Sequence, residues 1–314
     1  MKVLIVAVSF YYLYRQLFVK NDFYTIVSIF RKIWAEQQHL MLISIVLLLT
    51  PVNWGIEAFK WKWMISRLEK ISMAEAVEAV LSGTTFSFFT PNRVGEFAGR
   101  IFLLRTAERI PAALISILGS VAQLLATILF GGIALLFFVR MFFAWSNLWY
   151  VSFAIVDGVA LMVLLYLFLN TNRLNKIASW FHVPSKWLHF TTMVDLFKRS
   201  ELKLVVLLSV LRYMVFMTQF VILLFVMGVN APLLPMFMMV ALTYLVLAIP
   251  FLSLNEFGMR SVVAVQLIGN LSGNHAGILA ASLTIYVINV ALAALLGTVF
   301  VFRIRFFRTE NNTQ

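Results

Sequence analysis

Long apolar runs are the feature that most constrains how this chain can fold. A helix needs about 20 consecutive apolar residues to cross a bilayer, where every backbone polar group must be satisfied internally. Hydrophobic residues make up 62% of the chain and charged residues only 12%, against about 45–50% and 25% in soluble domains. We therefore predict an all-α polytopic membrane protein, with residues 1–314 forming a single transmembrane domain. Six full spans are predicted, at 3–19, 40–60, 110–139, 148–169, 203–228 and 276–302.

Two further apolar stretches are interrupted by helix breakers and charges. The first, 72–92, ends at Pro91, and the second, 233–268, is broken at Pro250 and by a polar run that ends at Arg260. Basic residues flank the first stretch on both sides, and loops rich in Lys and Arg favour the cytoplasmic face. If both clusters are cytoplasmic, 72–99 is a re-entrant hairpin. The flanking residues are Lys60, Lys62, Arg67 and Lys70 before it, and Arg100, Arg105 and Arg109 after it.

The remaining basic loops complete the predicted topology. A cytoplasmic loop follows two more spans, and the tail at 303–314 is cytoplasmic only if 233–270 is also re-entrant, this time from outside. Both termini are then cytoplasmic in a cell-membrane protein, and 20–39 is predicted to be an amphipathic interfacial helix. The basic residues concerned are Arg173, Lys176, Lys186, Lys198, Arg199 and Lys203 in the loop, and Arg303, Arg305 and Arg308 in the tail.

The two interrupted stretches resemble each other in sequence. The segment Pro91-Asn-Arg-Val-Gly-Glu96 matches Leu254-Asn-Glu-Phe-Gly-Met259, with Asn and Gly in the same places. A repeated motif in hairpins of opposite direction is typical of inverted-repeat transporters, whose broken helices meet near the bilayer midplane. The predicted halves are 40–170 and 203–302. The alternative is a chance match, since the shared pattern is short.

The first break has the residues of an anion site. Pro91 ends the preceding helix, Asn92 can cap the next one, and Gly95 permits close backbone approach. A helix that restarts here would direct free N–H groups at the break, and Arg93 adds a forked donor suited to phosphate. The alternative interpretation is a helix break with a self-satisfied salt bridge.

Charged residues within the two hairpins occur in pairs. Glu96 and Arg100 are four residues apart, and so are Glu256 and Arg260, so each pair can bridge on one helix face. Our hypothesis is that Arg93, Glu96, Glu256 and Arg260 form one net-neutral cluster that binds a lipid headgroup, with Asn255 beside it and Gly258 permitting close approach. The alternative is two separate intrahelical pairs.

Three further charged residues lie in predicted spans. Arg212 either snorkels to the cytoplasmic interface, which we favour, or binds a lipid phosphate. Asp157 is a functional candidate because an intramembrane carboxylate is costly, although the sequence offers no partner. Glu57 ends the second span near Lys60 and is interpreted as an interfacial residue.

Other classes of function lack the residues they need. The chain has no cysteine and only four histidines, none with metal-binding spacing, so we predict neither a metal nor a cofactor. No nucleotide-binding glycine pattern or nucleophile–base arrangement is present, and no catalytic residue is predicted. The net charge of +12 is attributed to topology and anionic lipid headgroups, so no nucleic-acid partner is expected.

The first motif resembles that of a known family. Pro91-Asn-Arg-Val-Gly-Glu96 followed by Arg100 resembles the P-x-R-x-G-E…R signature of the lysylphosphatidylglycerol synthase transmembrane-region family. Lys60-Trp-Lys-Trp63 resembles its R-W segment, and Pro250…Arg260 resembles its second break loosely, because the double glycine is missing and Met259 and Arg260 stand where an acidic residue is expected.

The resemblance implies a flippase-like membrane protein without the soluble aminoacyl-transferase domain of bifunctional members. Its ligand would be a phosphate-headgroup lipid, either an aminoacylated phospholipid or a lipid-linked glycan, and its protein partners a separate synthase or glycosyltransferase, or a second copy of the chain. The alternatives are a membrane-embedded enzyme with Glu96 or Glu256 as general base, and an accessory subunit acting with a partner on a lipid-linked substrate.

Overall fold

Helices account for the regular structure of the chain in a computed structural model. It describes Ser28, Arg31 and residues 36–90, 95–170, 196–249 and 256–301, with the side chains at 88, 89, 256 and 257 excepted. No β-strand occurs in these ranges. The helices are α1 (Gln37–Ile65), α2 (Met73–Phe89), α3 (Gly95–Ile101), α4 (Arg109–Phe142), α5 (Asn147–Leu169), α6 (Arg199–Val226), α7 (Leu233–Leu247), α8 (Glu256–Ile268), α9 (His275–Tyr286), a π-helical segment (Val287–Ala291) and α10 (Leu292–Val301).

Five stretches are long and apolar enough to cross a membrane, and they confirm five of the six predicted spans. They are α1, α4, α5, α6 and the continuous stretch from α9 through the π-helical segment to α10. The predicted span 3–19, most of the interfacial helix 20–39 and the tail 303–314 lie outside the described residues. The short α2, α3, α7 and α8 form the two interrupted stretches as helical hairpins.

The centre of the bundle is an antiparallel pair formed by α1 and α6. Arg67, just after α1, bridges to Glu201 in the first turn of α6. Further along, Lys60 contacts Ser209, and Thr50 accepts a hydrogen bond from Gln219. As residue numbers decrease along α1, the numbers of the α6 residues that they contact increase, so the two helices are antiparallel.

The first hairpin enters and leaves at the same end of the bundle. Glu69, just before α2, accepts hydrogen bonds from the backbone N–H groups of Arg105, Thr106 and Ala107, just after α3. The two arms pack closely because Gly99 lies directly against Gly83. A Cβ added to Gly99 would be 2.7 Å from the Cα of Gly83. This end, marked by Arg67, Lys70, Arg105, Arg109 and Arg199, is called the basic end below.

The second hairpin enters and leaves at the opposite end. Asn274, just after α8, donates from its Nδ2 to the carbonyls of Met227 and Gly228, which precede α7. Gly228 has a φ of +75°, a left-handed conformation that glycine adopts without steric cost. Because α6 runs from the basic end to this end, the two hairpins enter the bundle from opposite directions, as predicted.

The packing between the two halves is reciprocal. The span after the first hairpin, α4, packs on the first arm of the second hairpin, α7, while α10, which follows the second hairpin, packs on α2. Gly297 permits the α10–α2 contact, since its Cβ would lie 2.1 Å from the carbonyl oxygen of Leu81. Such exchange is what an inverted repeat produces; the boundaries 40–170 and 203–302 of its halves stay a prediction.

The α5 helix lies at the periphery of the bundle. Phe168 is its one buried residue, while large apolar side chains such as Leu148 and Trp149 are 76% and 70% exposed. An apolar surface of this extent suits contact with lipid rather than water. The buried core instead lies among α1, α2, α4, α6, α7, α8 and the last span.

Candidate functional site

A buried carboxylate, Glu57 of α1, is the centre of an ion cluster inside the bundle. It lies eight residues before the end of α1, which is about 12 Å from the basic end at 1.5 Å per residue, and is 3% exposed. Its Oε1 is 2.9 Å from an Nη of Arg100, and its Oε2 is 2.9 Å from Lys60 Nζ and 3.0 Å from an Nη of Arg212. The cluster of Glu57, Lys60, Glu96, Arg100 and Arg212 is called the Glu57 site below.

The first hairpin contributes Arg100 to this site. Arg100 bridges both to Glu96, four residues earlier on α3, and to Glu57. Its guanidinium carbon lies 5.7 Å from the centre of the Trp61 ring, within the range of a cation–π contact. The side chain is only 4% exposed, and its Nε has no hydrogen-bond partner in the described part of the chain.

Neighbouring helices hold the other two cations in place. Lys60 donates to the carbonyl of Gly119 on α4 and to the hydroxyl of Ser209 on α6, each at 3.3 Å. Arg212 donates from Nε to Asn53 Oδ1 at 2.9 Å and lies over the Phe216 ring. Side chains of α1 and α6 therefore contact each other and the backbone of α4.

An amide network extends the site toward the last span. Asn53 donates to Asn289 Oδ1 at 3.0 Å, and Asn289 donates to Gln219 Oε1 at 3.1 Å. Gln219 in turn donates to Thr50 and to the carbonyl of Val46, both at 3.0 Å. Asn289 lies in the π-helical segment, a local widening often found at functional positions. The network thus joins α1, α6 and the last span.

The second hairpin contributes a buried arginine in an aromatic environment. Arg260 of α8 is 4% exposed, and its guanidinium lies 5.6 Å from the Tyr244 ring and 6.0 Å from the Tyr286 ring. Tyr244 is in turn 6.3 Å from Phe216, the ring that Arg212 covers. Two arginines, Arg212 of α6 and Arg260 of α8, therefore flank one aromatic pair.

Three interpretations based on sequence are wrong. Glu57 is buried, not interfacial, and Lys60 lies inside α1, not in a cytoplasmic loop. Arg212 turns into the bundle toward Glu57 instead of snorkelling to the interface. The sequence indicates the depth of each residue along its helix, but Glu57 pairs with Arg100 and Arg212 on other helices, and these contacts hold the Glu57–Lys60 pair inside the bundle.

The predicted pair of Glu96 and Arg100 is formed. Gly95 packs against the carbonyl of Phe86, and Gly258 is buried. The predicted single cluster of Arg93, Glu96, Glu256 and Arg260 stays a prediction, because several residues of the two breaks lie outside the described part of the chain. Those residues are Pro91, Asn92, Arg93, Pro250 and Asn255, together with the side chain of Glu256.

Asn53, Gln219 and Asn289 were not predicted from the sequence as members of a polar network. One signal was present: Asn53, Glu57 and Lys60 are spaced by four and three residues, which places them on one helix face. Three polar groups on one face of a membrane span indicate a polar interior, since such groups avoid lipid.

Asp157 is not brought to the Glu57 site. It lies against Gly132 of α4, where an added Cβ would be 3.2 Å from both carboxylate oxygens. Gly132 is 13 residues beyond Gly119, the α4 residue that Lys60 contacts, or about 20 Å along the helix. Asp157 therefore belongs to the α4–α5 contact.

The charges of the site suit an anion. Three cations meet two carboxylates in the Glu57 site, in a bundle whose outer surface is apolar. Among the described residues no group of three His, Cys, Asp or Glu could hold a metal ion. Guanidinium forks bind phosphate oxygens well, and the site supplies two of them.

Comparison with known families agrees with the motif that begins at Pro91. The family model described as "Lysylphosphatidylglycerol synthase TM region" matches residues 1–297. Searches of curated proteins and of solved structures found no significant match. Because the match spans nearly the whole chain, this membrane protein belongs to the lysylphosphatidylglycerol synthase transmembrane-region family.

Proposed function

We propose that the protein moves a lipid with a phosphate-containing headgroup between the leaflets of the cell membrane. The observation that carries this proposal is the buried Glu57 site, where the first hairpin meets the central α1–α6 pair. A headgroup crossing the bilayer needs polar contacts at membrane depth, and charged side chains there are rare and usually functional.

The energetic cost of the site supports a functional role. Replacing a buried ion pair by apolar residues of similar volume is often neutral or stabilising. A bundle that only had to remain folded would gain little from burying Lys60, Glu57 and Arg100, all below 5% exposed. Retaining them is explained if they exchange partners with a ligand.

The opposite entry of the two hairpins supports a transport mechanism. They enter from opposite ends, as do the broken helices of inverted-repeat transporters, whose substrate sites lie at the junction of the repeats. We place the basic end in the cytoplasm, with both termini, because Lys and Arg concentrate there. The halves 40–170 and 203–302 would move relative to each other around the Glu57 site.

Individual residues have distinct roles in this mechanism. Arg93 and Arg260 bind the phosphate together with the cations of the Glu57 site, and Glu96 and Glu256 balance their charge. Arg100 orients Glu96 through the bridge between them. Asn92 and Asn255 cap the helices that restart at the breaks. A separate synthase or glycosyltransferase supplies the lipid.

The test is a translocation assay with purified protein in liposomes that contain a fluorescent phosphatidylglycerol. Wild-type protein should make the probe accessible to an added membrane-impermeant quencher faster than empty liposomes do. Arg93→Ala and Glu96→Ala should abolish this activity without loss of protein from the membrane. The matched control is Arg140→Ala, which removes an exposed arginine at the opposite end. Wild-type translocation by well-incorporated Arg93→Ala would contradict the proposal.

A further inference from the structure

We infer that the Glu57 site selects a phosphate headgroup with net negative charge over one that carries a compensating amine. The inference rests on the proposed lipid-handling function and specifies its substrate class: an unmodified anionic phospholipid or a lipid phosphate, not an aminoacylated lipid. It follows from the charge, the hydrogen bonding and the burial of the site.

The described charges of the Glu57 site do not balance. Among the described residues, Lys60, Arg100 and Arg212 meet two carboxylates, Glu57 and Glu96, so this part of the site carries an excess of one positive charge. The other charges of the two motifs do not remove this excess, because the sequence supplies two arginines there and one glutamate, at 93, 260 and 256. An excess of buried charge is strongly unfavourable, and an anionic ligand relieves it.

The Glu57 carboxylate already has cations on both of its oxygens. Both oxygens of Glu57 contact cations, Oε1 with Arg100 and Oε2 with Lys60 and Arg212. An incoming ammonium group would have to displace one of these side chains, which would strand a buried cation. A phosphate oxygen can instead join the cations without breaking a bridge.

Two buried hydrogen-bond donors at the site have no acceptor among the described residues. Arg100 Nε and Trp61 Nε1 are both buried and have no hydrogen-bond partner in the described ranges. The Arg100 guanidinium lies 5.7 Å from the Trp61 ring, so the two donor-bearing side chains are neighbours. Buried donors normally find an acceptor, and a phosphate group offers several acceptor oxygens at once.

The binding test uses three lipids with identical acyl chains. Purified protein in detergent is titrated with phosphatidylglycerol, phosphatidylcholine or lysylphosphatidylglycerol, and thermal stabilisation gives the apparent affinity. We expect phosphatidylglycerol to bind at least about tenfold more tightly than either of the other lipids, because one added hydrogen bond to a charged group has an effect of this size. Equal or tighter binding of lysylphosphatidylglycerol would overturn the inference.

A soluble probe distinguishes the source of the phosphate. Inorganic phosphate at millimolar concentration should give less stabilisation than phosphatidylglycerol if the acyl chains contribute. Stabilisation by inorganic phosphate equal to that by phosphatidylglycerol would support the anion site but assign it to the free anion.

Two variants alter the charge in opposite directions. Arg212→Gln makes the described site neutral while Glu57 keeps Lys60 and Arg100, so the protein should fold and lose the preference for phosphatidylglycerol. Glu96→Gln adds one unit of positive charge and keeps an amide oxygen for Arg100, so the preference should persist or grow. The control is Lys70→Gln, which removes an exposed cation at the basic end and should leave the preference unchanged.

These outcomes separate the inference from the proposed function. A preference that Arg212→Gln leaves intact, or that Glu96→Gln abolishes, would refute charge selection. Charge-selective binding without translocation in liposomes would refute only the lipid-transport function. Translocation that favours lysylphosphatidylglycerol would support transport and refute the selection of an anionic headgroup.

Discussion

Replacement of Glu57 by glutamine tests the central feature of the structure. The substitution keeps the shape of the side chain but removes the negative charge that contacts three cations. Removing one partner of a buried ion pair costs about 3–5 kcal/mol, because the other charge is left uncompensated. The amide that replaces the carboxylate retains one carbonyl acceptor, so we expect a loss at the lower end of this range, about 3 kcal/mol.

The measurement is thermal denaturation of the purified protein in detergent. For domains of 150–250 residues, 1 kcal/mol corresponds to about 2–4 °C in Tm, and the shift becomes smaller in longer chains. In this chain of 314 residues the variant should therefore melt about 5–6 °C lower. Added phosphatidylglycerol should stabilise the variant more than it stabilises the wild-type protein, because the substitution enlarges the excess of buried positive charge.

A matched substitution isolates the effect of burial. Glu201 also pairs with an arginine, Arg67, but the two side chains are 19% and 40% exposed. Exposed pairs contribute about 0–1 kcal/mol, so Glu201→Gln should lower Tm by about 2 °C or less. Equal shifts for Glu57→Gln and Glu201→Gln would refute the argument that the Glu57 site is a buried, coupled cluster.

Three further predictions concern packing, pH and the amide network. Gly297→Ala should destabilise the protein by about 2–3 kcal/mol in detergent melts, because its Cβ would lie 2.1 Å from the Leu81 carbonyl oxygen and overpacking is costly, whereas Gly158→Ala, with no atom within 4 Å of its Cβ, should be neutral. Burial raises the pKa of Glu69, but three backbone N–H donors outweigh that effect and lower it below the ordinary value. Its stabilisation should therefore be complete above about pH 4.3 and be lost as pH falls through the lower folded pKa, so the Tm difference between wild type and Glu69→Ala should shrink in acid and would contradict this account if it grew. Asn289→Ala leaves buried amides of the network without a partner and should cost about 1–3 kcal/mol, while unchanged melting would show that water replaces it.

The positions of the hairpins could be predicted from the sequence. Pro91 and Pro250 interrupt apolar stretches, and the distribution of Lys and Arg required both stretches to return to the face they came from. The contacts of Glu69 and Asn274 show the same arrangement. Chain-local signals were sufficient here, because helix breakers and charged loops act on the segment that contains them.

The composition of the ion cluster could not be predicted in the same way. Glu96 and Arg100 are four residues apart on one helix, and their pairing followed from spacing alone. Glu57 and Arg212 are far apart in sequence, and their contact depends on how α1 and α6 are aligned. Without a partner, each of them resembled an interfacial residue near the end of a span.

The sequence by itself determined the class of this protein, five of its spans, its two broken hairpins and its family. These properties follow from hydropathy, helix breakers and local motifs, each of which acts over a few turns of helix. Only the tertiary structure decided that the buried Glu57 contacts three cations and that, among the described residues, three cations meet two carboxylates at this site. The reason is that the pairing of charges in a low-dielectric interior depends on distances between helices, and those distances are set by packing.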